Sequence, residues 1–212
     1  MPAARPIAPL EGRRLKRGLT ALAGADPDLA RAIEAAGRLP VRSRDPGFST
    51  LLNIIMAQQL STASAGAIWG RLEAVADPMT PAALLKIHPR RLRTIGLSRQ
   101  KALYARELAK ALEARHLDLD ALATMDDEAA IAALTAVKGI GRWTAEIYLL
   151  FSLGRPDVMP ADDLALQVAA QRIKGLDARP KARELRAIAE AWRPWRSVAA
   201  RVLWRYYKIV PI

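Results

Sequence analysis

Apolar residues recur at intervals of three and four along nearly the whole chain, and the alternation that marks a half-buried strand is almost absent. About a fifth of the 212 residues are alanine, the strongest helix former, and β-branched runs are scarce. The expected fold class is all-α.

Helix boundaries follow from caps and prolines. Residues 46–76 read as two helices meeting near Leu60-Ser61, with Ser61 or Thr62 capping the second. Thr80-Pro81 opens a short helix that His88-Pro89 is expected to break. Ser98 caps a long helix from Arg99 to about Arg115, with Leu103, Leu108 and Leu112 as its apolar stripe. A helix from Met125 to about Val137 carries acids in its first turn, where the helix dipole favours them. Lys138-Gly139-Ile140-Gly141 is a tight reversal, and Arg142 to Leu150 resumes helical spacing. Asp162-Asp163 starts a helix to about Ile173, and two more lie near 180–192 and 194–207. Two helices are expected within residues 1–40.

Thirty-three Lys and Arg against 21 Asp and Glu leave a net charge of +12, which points to a polyanionic partner, most often nucleic acid. With no cysteine, disulfides, Cys-ligated zinc and iron–sulfur clusters are excluded. Only His88 and His116 could supply imidazole ligands, far apart in sequence. The apolar runs are too short to span a bilayer, and the amino terminus lacks the apolar core of a signal peptide, so a cytoplasmic protein with no membrane partner is expected.

Two glycines after Lys138, between amphipathic helices, form a helix–hairpin–helix. Glycine permits close backbone approach, and the following helix offers free N–H groups and its positive end to a phosphate. An ordinary interhelical turn has the same local pattern. The longer string VKGIGRWTAEIYLLFSLGRPDVMPADDLALQ, residues 137–167, resembles the helix–hairpin–helix DNA glycosylase superfamily. GRWTA, VMPADDL, RPWRSVAARVLW (193–204), IIMAQQLSTASA (54–65) and IGLSRQKA (95–102) are similar to its alkylpurine branch, 3-methyladenine DNA glycosylase II. The resemblance covers roughly residues 45–207 and is to the compact form, without an added amino-terminal β-domain.

What the resemblance implies is specific. The fold would be two helical lobes with a base-binding DNA cleft between them. Residues 1–44 would be a helical extension packing on the glycosylase fold, 45–207 the glycosylase domain with its hairpin at 137–142, and 208–212 a tail. The reaction would be monofunctional hydrolysis of the N-glycosidic bond of alkylated purines, chiefly 3-methyladenine and 7-methylguanine, in double-stranded DNA. The catalytic carboxylate would be Asp163, leaving Asp162 as the helix cap. Read without the family, an Asp-Asp pair opening a helix is a cap and a dipole partner.

Trp143 and Trp204 would flank the flipped base, while Trp69 and Trp192 read as core. A base alkylated at N3 or N7 is cationic, and stacking it on an indole is worth about 0.5–2 kcal/mol. Larger relatives place a Tyr four residues after the first Trp; here that position is Ile147, with Tyr148 beside it. Gln58, Gln59, Leu60 and Ser61 would form the wedge corner, with Gln59 or Leu60 filling the space the nucleotide leaves. Arg99, Lys101, Lys138 and Arg142 are candidate phosphate contacts, together with Gly139, Gly141 and Thr144 of the hairpin. No redox or organic cofactor is implied. A structural Na+ or K+ on the carbonyls of Thr135, Val137 and Ile140 is, and a monomer is expected. In strand-cleaving relatives a lysine stands two residues after the second glycine; here Trp143 does, so no lyase activity is expected. The alternatives are a non-catalytic DNA-binding module and a glycosylase for another damaged or mismatched base.

Overall fold

The computed structural model describes residues 8–209, and among them it contains helices and turns but no strand. Two amino-terminal helices, α1 (Gly12–Ala25) and α2 (Pro27–Ala36), are joined through Asp26. Seven follow: α3 (Phe48–Ala57), α4 (Thr62–Glu73), α5 (Pro81–Lys86), α6 (Pro89–Thr94), α7 (Arg99–Glu113), α8 (Asp127–Thr135) and α9 (Arg142–Phe151). The chain ends with α10 (Leu164–Lys174), α11 (Ala182–Ala189) and α12 (Arg196–Ile209).

These helices gather into two compact units. The first is Arg44–Tyr148; the second combines Ala8–Ser43 with the chain from Leu149 onward. Within the second unit α1 and α2 pack against α12, and α2 also against α10. Lys208 and Ile209 continue α12 rather than forming a tail. The expected extension's first seven residues and the last three of the tail lie outside the described residues.

In the first unit α3 is apolar on most of its circumference, burying Leu51, Leu52, Ile54, Ile55 and Met56, and it packs on α4 and α7. Its neighbour α7 buries Ala102, Ala105, Leu108 and Ala109, whereas the expected stripe residue Leu103 is 41% exposed. Small alanines let the helices approach closely, so the buried face keeps Leu108 of the expected stripe but turns away from Leu103. As expected, α5 stops at Lys86, just before His88-Pro89, and the same pair also begins the next helix. The His88 imidazole accepts the Arg90 N–H and starts α6, because Pro at the first helical position needs no amide partner. Ser61, Thr80, Ser98 and Asp126 cap their helices through the side chain.

The second unit's core gathers Leu22, Leu29, Leu185, Trp192, Val198 and Leu203. Trp192 is fully buried and its indole N–H donates to Asp26 Oδ2 at 2.7 Å. Asp26 also caps α2 and takes the Lys174 ammonium. Trp69, expected in the core, is only partly buried.

Candidate functional site

The corner after α3 is built by three side chains of the first unit. Lys101 reaches from α7 to the carbonyls of Met56 and Gln58, at 2.6 and 2.7 Å, supplying donors that the last turn of α3 lacks. Burial pushes the Lys101 ammonium below its ordinary value. The expectation of a phosphate contact is thus corrected: Lys101 holds the end of a helix. Gln58 turns inward, its amide donating to the buried Thr144 hydroxyl at 2.7 Å, so neither of these two faces solvent freely. Gln59 then adopts φ +56, left-handed for a non-glycine residue, and both Gln59 and Leu60 are exposed. Ser61 is committed to the Ser64 N–H as the cap of α4.

The reversal from α8 to α9 closes through Ile140 N–H to Val137 O at 3.1 Å. Gly139 has φ +100, and a Cβ there would lie 2.2 Å from Tyr104 Cγ, so only glycine fits. Gly141 differs: a Cβ on it would meet nothing within 4 Å. Lys138 is exposed beside it. Arg142, expected on a phosphate, instead spans the turn. Its guanidinium donates to both carboxylate oxygens of Glu128 on α8, and its Nε donates to Glu146 on α9 at 2.9 Å. The hydrogen bond it donates to Glu128 is the main reason it holds its proton more tightly than an ordinary arginine. The local signal was present, since Glu146 stands four residues after Arg142; Glu128 was not legible.

Trp143 is half-buried near the start of α9, and Ile147, one turn on, is 7% exposed. Tyr148 does not stand in for the tyrosine of larger relatives. It is fully buried, its hydroxyl accepts the Gly47 N–H at 2.9 Å, and burial pushes its pKa up to about 12. Arg99 opens α7 and shares a shallow groove of about 490 Å³ with Arg90 and Arg93, two cations that no sequence motif marks. The carbonyls of Thr135 and Ile140 accept no hydrogen bond among the described residues, and that of Val137 accepts one. Such hard oxygen donors suit a monovalent cation.

In the second unit Asp163 is the cap of α10. Its Oδ1 accepts the N–H groups of Ala165 and Leu166 at 2.9 and 3.2 Å. Asp162, expected to be the cap, instead pairs with Arg186 at the surface. Extended backbone at Asp163, φ −74 and ψ 121, puts the second acid in the capping position, one residue later than expected. The Asp163 N–H bonds Pro160 O at 3.0 Å, and the Gln167 amide bonds Ala161 O at 2.8 Å, so the loop before the carboxylate is pinned to the helix after it. Trp204 stacks on Phe151 with centroids 5.6 Å apart, and it also lines a cavity of about 260 Å³ with Pro40, Arg42, Arg201, Arg205 and Lys208. Of the expected site, the corner, the hairpin, Trp143 and Ile147 belong to the first unit, and Asp163 and Trp204 to the second.

Residues 52–194 match the family model of the HhH-GPD superfamily base excision DNA repair proteins. DNA-3-methyladenine glycosylase 1 of Schizosaccharomyces pombe is 31% identical over 196 residues, covering 89% of this chain and 86% of that protein. The solved structure of the 3-methyladenine DNA glycosylase Mag1 from that yeast, in complex with abasic DNA, has a TM-score of 0.81 at 30% identity and covers 89% of this chain and 95% of its own. A DNA-3-methyladenine glycosidase from Bacillus halodurans has a TM-score of 0.80 at 32% identity, covering 94% and 91%.

Proposed function

This chain belongs to the HhH-GPD superfamily of base excision DNA repair proteins, and from that premise we propose that it is a monofunctional DNA glycosylase for alkylated purines, chiefly 3-methyladenine and 7-methylguanine. The observation that carries the reading is Asp163, a carboxylate held at a helix start by two backbone N–H groups and a pinned loop. Breaking an N-glycosidic bond builds positive charge on the sugar. A carboxylate fixed in advance stabilises that oxocarbenium-like state without reorganising, and it orients the attacking water.

The other residues divide the work. The N–H groups beside Gly139 and Gly141 face a phosphate, and the open space over the Gly141 α-carbon suits close approach of a DNA backbone. Gln59 and Leu60, exposed at the corner that Lys101 and Gln58 anchor, fill the gap left by the extruded nucleotide. Trp143 offers an indole face to a cationic base, and apolar Ile147 adds no hydrogen bond to it. Alkylation itself weakens the glycosidic bond, so modest discrimination suffices to spare normal purines. A Na+ or K+ on the carbonyls of Thr135, Val137 and Ile140 would neutralise a phosphate at the hairpin.

The working form is a monomer on double-stranded DNA. Among the described residues no helix is long and apolar enough to cross a membrane. Excision from duplexes carrying single methylated, oxidised or mismatched bases tests the reading. Release of 3-methyladenine and 7-methylguanine is expected; binding without release would favour the DNA-binding module, and release of another base alone would reassign the substrate.

A further inference from the structure

The cavity beside Trp204 has a chemistry of its own. Four cationic side chains surround about 260 Å³: Arg42, Arg201, Arg205 and Lys208. Arg201 is the wall rather than a ligand. It is 5% exposed and donates to Leu10 O, Pro40 O and the Glu11 carboxylate, so its charge is matched. Glu11 is also taken by the Arg42 backbone N–H, at 3.1 Å. No acid remains for the other three. Arg205 spends only its Nε, on Ala36 O at 3.2 Å, and the side chains of Arg42, Arg205 and Lys208 form no ion pair among the described residues.

Three unmatched cations around one cavity repel each other, and an anion between them relieves that repulsion. The same charges oppose entry of a cationic alkylated base on this side of Trp204. Guanidinium forks and an ammonium together match the oxygens of a phosphate. The volume exceeds that of one phosphate, and the indole adds a flat apolar wall for the group attached to it. We infer that this cavity is a phosphate-ester site, with Arg42, Arg205 and Lys208 as ligands and Trp204 against the esterified nucleoside. Two sources share that chemistry, a backbone phosphate of DNA and a free nucleotide. The DNA source rests on the repair reading above; the site itself does not.

The test uses the full chain and four variants: Arg42→Gln, Arg205→Gln, Lys208→Gln and, as a cation that does not line the cavity, Arg179→Gln. Melting curves first establish that each is folded. Should Arg205→Gln fail because its bond to Ala36 is lost, Arg42→Gln and Lys208→Gln carry the test, since both side chains are exposed. Binding of dAMP and inorganic phosphate is followed by phosphorus NMR, and binding to an undamaged duplex by anisotropy across a salt series. If the source is DNA, each lining variant lowers the log–log salt slope by about 0.9, the value of one phosphate contact. If it is a free nucleotide, wild type binds dAMP, each lining variant weakens it by about tenfold as one charged contact is lost, and the duplex slope stays put. The inference is overturned if wild type binds neither small phosphate and the lining variants keep the wild-type slope, or if Arg179→Gln changes every readout equally. Excision by wild type is scored separately, so failure of the repair reading is visible on its own.

Discussion

Arg142 and Glu128 face each other across the hairpin as a two-point pair, the guanidinium Nη1 and Nη2 donating to the two carboxylate oxygens at 2.9 and 2.5 Å. With Glu146 on its Nε, Arg142 ties the helix before the turn to the helix after it. Its charge is spent inside the protein. Arg142→Gln is therefore expected to lower the melting temperature and weaken duplex binding while leaving the salt slope of binding unchanged. A slope reduced by about 0.9 would instead make Arg142 a phosphate contact.

Asp163→Asn separates capping from chemistry, because asparagine caps a helix as well as aspartate does. Stability should hold, and single-turnover excision of 3-methyladenine should fall by about 10²-fold or more with the charge gone. Asp162→Asn removes only a surface pair with Arg186, worth about 0–1 kcal/mol, and should excise nearly normally. The reverse result would move the catalytic carboxylate to Asp162.

The two hairpin glycines should fail differently when changed to alanine. Gly139→Ala forces a Cβ to 2.2 Å from the Tyr104 ring at φ +100, so the protein should lose several °C of melting temperature, about 1–3 kcal/mol. Gly141→Ala meets no protein atom, so it should fold normally and lose duplex affinity. Equal melting temperatures with equal affinities would contradict both assignments.

Asp26 and Lys174 predict the acid and alkaline limits of the second unit. Burial opposes the Asp26 charge, but hydrogen bonds from Lys174, Trp192 and the Leu29 N–H outweigh it and hold the carboxyl below its ordinary 3.8. A depressed carboxyl stabilises the fold above that ordinary value, and the contribution disappears as pH falls through the lower folded one. Burial likewise opposes the Lys174 charge, yet Asp26 and Asp28 raise it above 10.5, so its contribution is lost only as pH rises through that higher folded value. Asp26→Asn should flatten the acid limb in a series of melting curves; an unchanged limb would place the acid sensitivity elsewhere.

Strand cleavage should be absent. Trp143 stands where a nucleophilic amine would be needed, so borohydride should trap no protein–DNA adduct and the strand should break only with added alkali. Trp143→Lys alone should not create an efficient lyase, because an amine must also be desolvated and aimed at the sugar. A trapped adduct at a yield matching turnover would overturn this, with Lys138 the first place to look.

Local chemistry by itself determined much of this protein. Apolar spacing of three and four set the all-α class, and Ser61, Thr80, Ser98 and Asp126 marked helix starts because a cap acts within three residues of itself. The Gly139 requirement was readable as a turn, and the string from the hairpin to Asp163 carried the family. Only tertiary structure decided the partners. Lys101 and Arg142 looked like free cations in sequence, yet carbonyls 43 and 45 residues away and a carboxylate 14 residues away claim them. Leu103 and Trp69 looked like core, but Leu103 is exposed and Trp69 only partly buried, because which stripe of a helix is buried depends on the neighbour it meets. Which of Asp162 and Asp163 caps α10 turned on one residue of extended backbone. The cations around Trp204 come from residues 42 and 205–208, brought together when α12 packs against α2, and long-range packing of that kind leaves no periodic trace in a single sequence.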